Sequence, residues 1–221
     1  MRYDPQLPSF PPPEDADENG LLMIGGCLSA KWMLAGYRRG IFPMPIVEGR
    51  RETLAWFSPD PRGILELDEV HVSRSLERTL RRGVFHFTRD QAFAEVVNAC
   101  AEPRSDENGV WITPRLARAY LDLHARGAAH SLEAWQGEKL VGGIFGIAIG
   151  GFFAGESMFH RVTDASKAAL VELVRHLKRQ GFTLFDVQWP NAHTRSLGAA
   201  EIPRARYLRR LAVATQVEAV Y

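Results

Sequence analysis

The second half of the chain alternates apolar runs with one long amphipathic segment. Three apolar runs separated by glycine-containing turns predict antiparallel strands. They are Ser131–Trp135, Leu140–Ile149 and Phe152–Phe159. Apolar residues then recur at helical spacing over Ala165–Gln180, and Gly181 ends that pattern. A further apolar run, Phe182–Gln188, predicts a fourth strand, which the helix should place parallel to its neighbour by a right-handed crossover.

The first half of the chain predicts helices joined by loops. Helical patterns with capping residues or terminal glycines occupy four segments. They are Ser29–Arg39, Arg74–Arg82, Asp90–Cys100 and Pro114–Arg126. Residues 41–63 are rich in proline and aromatic residues, which predicts a loop that closes a small N-terminal domain over residues 1–65. A loop over Pro190–Ala199 and a last helix from about Pro203 complete a second domain over residues 66–221.

Together these elements predict an α+β fold with a mixed sheet. Their order is two helices, three antiparallel strands, a crossover helix and a parallel strand. This order resembles the plan of the GNAT acyltransferase superfamily. The resemblance implies a GNAT-like domain after the small N-terminal one, but a shared plan says nothing about substrate.

The composition is that of an ordinary globular protein, with 46% apolar and 24% charged residues among 221. The 27 Lys and Arg against 26 Asp and Glu exclude a generally polybasic protein and permit local basic faces. Two cysteines imply no disulfide framework, and the sequence shows neither a leader pattern nor an apolar run of about 20 residues. We therefore expect a cytoplasmic protein without a membrane partner. We also expect a monomer, although the sequence carries no signal for the oligomeric state.

Three polar residues interrupt the apolar strands. Glu156 lies near the end of one predicted strand, and Asp186 and Gln188 lie on the last one. Residues two apart on a strand project from the same face, so Asp186 and Gln188 should point together and Val187 away from them. Such groups are costly to bury without partners. They are therefore candidates for a functional site, with a structural hydrogen-bonded pair as the alternative.

The sequence lacks the motifs of several common kinds of metal and cofactor site. The seven histidines and two cysteines show neither the His-x-x-x-His nor the Cys-x-x-Cys spacing of zinc sites, and no phosphate-binding P-loop is present. A CoA-dependent acetyltransferase needs a glycine-rich turn before its crossover helix. The corresponding residues, 158–165, contain no glycine, and Asp164 would repel a phosphate. We expect no metal and no cofactor.

Two further sets of residues suggest binding surfaces. Apolar and aromatic residues around the predicted sheet and crossover helix suggest a pocket, with an ordinary hydrophobic core as the alternative. They are Trp111, Ile144, Phe153, Met158, Leu173 and Leu177. Arginines at helical spacing form two basic faces, which either bind phosphates or are simply solvated. They are Arg74, Arg78, Arg81 and Arg82 on one helix and Arg206, Arg209 and Arg210 on another.

Seven segments, in the same order and spacing, closely resemble the leucyl/phenylalanyl-tRNA–protein transferases over residues 19–210. They are Asn19-Gly20-Leu21-Leu22, Tyr37-Arg38-Arg39-Gly40-Ile41-Phe42-Pro43, Trp56-Phe57-Ser58-Pro59-Asp60-Pro61-Arg62, Trp111-Ile112-Thr113, Gly155-Glu156-Ser157-Met158-Phe159, Asp164-Ala165-Ser166-Lys167, and the stretch from Asp186-Val187-Gln188 through Asn191 and His193 to Ser196-Leu197-Gly198-Ala199. The resemblance implies an enzyme that moves Leu, Phe or Met from its tRNA to an N-terminal Arg or Lys of a protein. In that family the product is marked for ATP-dependent proteolysis.

The resemblance also implies roles for individual residues. Asp186, Gln188 and Glu156 take the catalytic and acceptor-binding roles, and the apolar set above takes the amino-acid pocket, joined by Met44 and Asn191 as substrate-binding residues. The two arginine faces are the candidates for contacts with the tRNA backbone. The chain departs from the family where Met44 stands in place of a common Trp, and at Phe57 and His160.

The mechanism and three competing functions stay open at this point. Either Asp186 accepts the proton of the acceptor amine, or the tRNA's own ribose hydroxyl moves it and Asp186 only orients the other groups. The competing functions are a CoA-dependent N-acetyltransferase, a peptidoglycan-bridge aminoacyl transferase and a tRNA-binding module without catalysis.

Overall fold

The computed structural model describes residues 7–49, 51–103 and 111–221. Its helices are α1 (Ala30–Tyr37), α2 (Arg74–Arg81), α3 (Phe93–Cys100), α4 (Pro114–Ala125), α5 (Ala165–Arg179), α6 (Ala192–Arg195) and α7 (Arg204–Ala214). Its strands are β1 (Leu21–Ile24), β2 (Phe42–Glu48), β3 (Arg51–Phe57), β4 (Arg62–Leu65), β5 (His86–Arg89), β6 (Ala129–Gln136), β7 (Lys139–Ile149), β8 (Phe152–His160), β9 (Leu184–Gln188) and β10 (Ala200–Ile202). Within the described ranges, no helix has the length and apolar character needed to cross a bilayer.

A seven-stranded mixed sheet forms the centre of the molecule, in the order β10-β4-β9-β8-β7-β6-β5. The three predicted strands β6, β7 and β8 pair antiparallel, and β9 joins β8 in parallel after the crossover helix α5. The predicted α+β fold with a mixed sheet is therefore confirmed. Close packing of α5 on this sheet depends on Gly142, because a Cβ there would lie 2.7 Å from the Cβ of Ala165.

The prediction of a loop over residues 41–63 is wrong, because β2 and β3 lie there and pair with β1 in a second sheet of order β1-β3-β2. Proline normally argues against a strand, since it cannot donate a backbone hydrogen bond. Pro43 and Pro45 are tolerated because β2 is an edge strand that pairs with β3 alone. The short strands β4, β5 and β10 were also missed.

The sheet separates two hydrophobic clusters. The first contains buried residues of α1, α3, α4 and α7 together with those of the small sheet. The second lies under α5 and contains its buried alanines and leucines. The strand β4 follows directly on the small sheet and pairs with β9, which brings the N-terminal part of the chain next to Asp186 and Gln188.

Candidate active site

Glu156 occupies an irregular position on β8. Phe145 of β7 lies opposite Ser157, and the next residue, Gly146, lies opposite Gly155. Glu156 is therefore the extra residue of a β-bulge. Bulges turn a side chain out of the regular alternation and are common beside active sites.

The bulge directs the Glu156 carboxylate onto three donors from different parts of the chain. Its Oε1 accepts hydrogen bonds from the Tyr37 hydroxyl at 2.8 Å and from the Gln188 Nε2 at 3.3 Å. Its Oε2 accepts one from the Tyr120 hydroxyl at 2.6 Å. Since Tyr37 ends α1 and Tyr120 lies on α4, these bonds join the N-terminal part of the protein to the sheet.

These surroundings change the ionisation of the carboxyl group. Burial raises the pKa of Glu156 to about 7, the tyrosine hydrogen bonds oppose that rise, and the charge of Asp186 adds to it. Burial and the charge of Glu156 raise the pKa values of Tyr37 and Tyr120 well above their ordinary value, so both remain donors. Glu156 therefore changes charge near neutral pH while its tyrosine partners do not.

A second bulge lies where β9 ends. Gly63 of β4 lies opposite Gln188 and Ile64 lies opposite Asp186, so Val187 is the extra residue. Gln188 has a φ of 55°, and its backbone N–H donates to Asp186 Oδ1 at 2.9 Å. Val187 packs against the cluster under α5, on the face opposite Asp186 and Gln188, as the alternation predicts.

Asp186 is enclosed in a buried ion pair. Its Oδ1 accepts from Arg62 Nε at 2.9 Å, and its Oδ2 accepts from Arg62 Nη2 at 2.6 Å and from the Tyr207 hydroxyl at 2.7 Å. The exposed fractions of Asp186 and Arg62 are 0% and 1%. Arg62 also donates to the Gly40 carbonyl, and its guanidinium lies against the Phe42 and Tyr207 rings. Burial alone would lower the pKa of Arg62, but Asp186 outweighs it and the pKa rises.

The three catalytic candidates thus form one hydrogen-bonded chain. It runs from Arg62 through Asp186 and Gln188 to Glu156. Its Glu156 end is partly exposed, and Asp186 and Arg62 at the other end are buried. A carboxylate that is held by the Gln188 amide and accessible at one side suits the binding of an ammonium group. Sequence reasoning missed the partners Tyr37, Tyr120, Arg62 and Tyr207, although Tyr37 and Arg62 fall in two of the segments that carry the family resemblance.

The structure divides the predicted pocket residues between the two clusters. Ile144 lies opposite Met158 across β7 and β8, and both belong to the cluster under α5 with Phe153, Leu173 and Leu177. Trp111 and Met44 are partly buried against the other cluster. The Asn191 side chain accepts from the Thr194 backbone N–H at 2.9 Å and so caps α6.

Both arginine faces lie at the surface. All four arginines at 74–82 are exposed, and Arg81 forms an exposed ion pair with Glu77 at 3.4 Å. On α7, Arg210 pairs with both carboxylate oxygens of Glu66, at 2.5 and 2.8 Å. Arg206 and Arg209 are exposed beside it and line a shallow groove with Arg210, Thr183 and Val213.

Comparison with known proteins identifies the family. The model of the leucyl/phenylalanyl-tRNA protein transferase matches residues 64–212, and the model of that family's N-terminal domain matches residues 26–60. The chain belongs to the leucyl/phenylalanyl-tRNA–protein transferase family. The enzyme of this name from Aromatoleum aromaticum is 53% identical over 93% of this chain and 86% of its own length. The one from Stutzerimonas stutzeri is 51% identical over 93% and 90%.

The similarity of this transferase to solved structures is more distant. The structure of L-PGS from Bacillus licheniformis covers 74% of this chain and 52% of its own, with 14% identity and a TM-score of 0.42. The prediction of the family from seven sequence segments is confirmed by the family models and the relatives.

Proposed function

We propose that this chain transfers leucine, phenylalanine or methionine from its tRNA to the α-amino group of a protein that begins with Arg or Lys. The product carries a new N-terminal residue that marks it for proteolysis. Membership of the family supports the reaction. The observation that carries the assignment of the site is the partly exposed Glu156 carboxylate with the Gln188 amide 3.3 Å away.

The reaction makes one bond and breaks one. The acceptor nitrogen attacks the ester carbonyl of the aminoacyl-tRNA, a peptide C–N bond forms, and the ester C–O bond to the ribose breaks. The ribose oxygen leaves as a hydroxyl with one proton. Because the ester is already reactive, positioning carries much of the catalysis, and well-oriented groups can supply about 7–11 kcal/mol.

We assign to Glu156 the role of binding and deprotonating the acceptor amine. An α-ammonium has a pKa near 8, and the pKa of Glu156 is about 7. Two groups with similar pKa values exchange a proton at little cost, which suits general-base catalysis. Glu156 therefore holds the ammonium form and accepts its proton, while Gln188 orients the nitrogen.

Asp186 acts in this proposal by orienting its neighbours. Full burial and the pairing with Arg62 and Tyr207 favour the alternative in which the ribose hydroxyl moves the remaining proton. Asp186 fixes the Gln188 backbone through the 2.9 Å bond to its N–H. The direct proton-accepting role of Asp186 stays a prediction.

The donor side chain is assigned to the apolar cluster under α5, on the other face of the sheet. The pairing of β8 and β9 ends at Ala154 and Asp186, so a side chain bound beside Glu156 and Gln188 can pass between the two strands beyond that point. Of the predicted pocket residues in that cluster, Met158 is partly exposed, and Ile144, Phe153, Leu173 and Leu177 are buried. We expect a pocket there to favour side chains that are unbranched at Cβ, so Val and Ile are poor donors. Differences of one methylene are worth about 1–3 kcal/mol, which gives a graded preference.

Finer features of the organisation are proposals as well. The two family models meet between residues 60 and 64, which supports a domain boundary near residue 65. The helix–strand order supports a GNAT-like plan for the larger domain. We also propose that the protein acts as a monomer in the cytoplasm, a reducing compartment that suits a chain whose two cysteines are both free.

One assay tests the function directly. Leu-tRNA, Phe-tRNA and Val-tRNA are each incubated with the protein and an Arg-starting peptide, and the product is measured by mass spectrometry. We expect the peptide to gain one Leu or one Phe and very little Val. The same peptide with its amine acetylated should gain nothing. Absence of any Leu or Phe adduct contradicts the proposal.

Removing basic charge from α7 should weaken binding of the tRNA. The groove begins at Thr183, about 16 Å along the strand from Gln188, so it suits the tRNA backbone better than the ester. For Arg206→Ala/Arg209→Ala we expect a higher KM for Leu-tRNA. We also expect a salt slope that is smaller by about 0.7–0.9 per lost contact. Arg175→Ala, which removes an exposed arginine of α5, is the control, and an unchanged slope in the double variant contradicts the assignment.

A further inference from the structure

Trp189 is an exposed aromatic residue beside the site. Its exposed fraction is 39%, and every other Trp or Phe in residues 7–49, 51–103 and 111–221 is less exposed. It directly follows Gln188 in the chain, so the two Cα atoms are about 3.8 Å apart. A single exposed apolar residue is common on protein surfaces, so its contacts and its place beside Gln188 decide what it can do.

The surroundings hold the indole in a fixed position. Phe42 and Phe57 meet it edge to face, with ring centroids 5.1 and 5.6 Å away and interplanar angles of 82° and 71°. Both phenylalanines are buried. On the other side of the residue, Pro190 restricts the backbone and packs so tightly on Gly63 that a Cβ there would lie 2.5 Å from its ring. These contacts therefore fix the Trp189 ring, and its exposed part faces solvent.

The surroundings of the Trp189 ring favour a neutral, flat ligand. Phe42 already has the guanidinium of Arg62 against its ring, at 4.8 Å, so the aromatic group carries one cation beside it. Apolar neighbours offer no charge to compensate a second cation. In the donor, a single ribose separates the ester carbonyl from a base, and stacking of a base on an aromatic side chain tolerates any base.

We propose that Trp189 is the stacking surface for the terminal base of the aminoacyl-tRNA. This inference rests on the proposed function, because it needs the ester to lie beside Gln188 and Glu156. The indole then fixes the base, the base fixes the ribose, and the ribose places the ester carbonyl over the acceptor amine. Trp189 binds the donor and takes no part in proton transfer.

Binding of 3′-leucylamino-3′-deoxyadenosine, a stable amide analogue of the donor end, tests this by calorimetry. For Trp189→Leu we expect the affinity to fall by about 5- to 100-fold, and for Trp189→Phe by less, because a smaller ring still stacks. The KM for an Arg-starting peptide at saturating Leu-tRNA should not change. Trp135→Leu, which removes an indole from β6, serves as the control and should bind like the wild type. Urea unfolding of each variant checks that it folds.

Three outcomes overturn the inference. In one, Trp189→Leu binds the analogue as tightly as the wild type. In another, the peptide KM rises and the analogue affinity does not, which places the indole against the acceptor protein. In the third, the wild type does not bind the analogue at all. A wild type that binds the analogue and loses affinity with Trp189→Leu, yet transfers no leucine, supports the stacking surface and refutes the proposed function.

Discussion

Replacing Glu156 with glutamine is expected to lower transfer of leucine to an Arg-starting peptide by about a hundredfold or more. The amide keeps the shape of the side chain and its position between Tyr37 and Tyr120, but it carries no charge and accepts no proton. General-base catalysis contributes roughly 10²–10⁴ in rate, which sets the scale of the loss. Single-turnover transfer from Leu-tRNA measures it, and Glu138→Gln in the exposed turn after β6 is the matched control.

The pH dependence separates this role from a structural one. Since burial raises the pKa of Glu156 to about 7, its charged form appears as the pH rises through 7. The wild-type rate should therefore rise through that range, whereas Glu156→Gln should keep only the rise caused by the acceptor amine near pH 8. A variant with the wild-type rate and profile contradicts the assignment.

The free energy of unfolding of the wild type should fall as the pH rises, whereas its transfer rate should increase. A raised pKa means that the folded state favours the neutral carboxyl group of Glu156, so the stability that this group contributes is lost as the pH rises through about 7. Above that pH, Glu156→Gln should be at least as stable to urea as the wild type. A variant that loses activity while it gains stability has lost a functional group and not a structural one.

Asp186→Ala is expected to lose most transfer activity and about 3–5 kcal/mol of stability. It leaves the Arg62 guanidinium buried without its partner, and breaking a buried ion pair from one side costs about that much. Urea unfolding measures the stability, and single-turnover transfer measures the activity. Glu66→Ala is the control, because it breaks the partly exposed pair with Arg210 and should cost at most about 1 kcal/mol.

A double variant separates folding from positioning. Arg62→Met/Asp186→Leu replaces the buried pair by apolar side chains of similar volume and should recover much of the stability. It should not recover transfer, because the Gln188 N–H has lost its acceptor and the amide is no longer held towards Glu156. Recovery of both stability and transfer would show that Asp186 serves the fold alone.

The parts of the fold with regular periodicity were predictable from the sequence. The runs in β6, β7, β8 and β9 and the helical spacing of α5 gave the central sheet and its parallel crossover. The small sheet was missed because Pro43 and Pro45 suggested a loop, and only the pairing shows that β2 is an edge strand. Strands of three or four residues, such as β4 and β10, are too short to show a pattern.

The site was predictable only in part, for a similar reason. Glu156, Asp186 and Gln188 are polar residues on apolar strands, and that contrast is visible in the sequence. Their partners are not, since Tyr37 lies 119 positions before Glu156 and Arg62 lies 124 before Asp186. The two bulges that aim Glu156 and Gln188 each add one unpaired residue to a strand, and the alternation of residue types does not show where such a residue lies.

The central claim is that Glu156 binds the free α-amine of the acceptor. Calorimetric binding of an Arg-starting peptide and of its N-acetylated form, to the wild type and to Glu156→Gln, tests this most directly. We expect the wild type to bind the free amine and to discriminate strongly against the acetylated peptide, and the variant to bind both equally weakly. Equal binding of the two peptides by the wild type, or unchanged discrimination by the variant, would contradict the account.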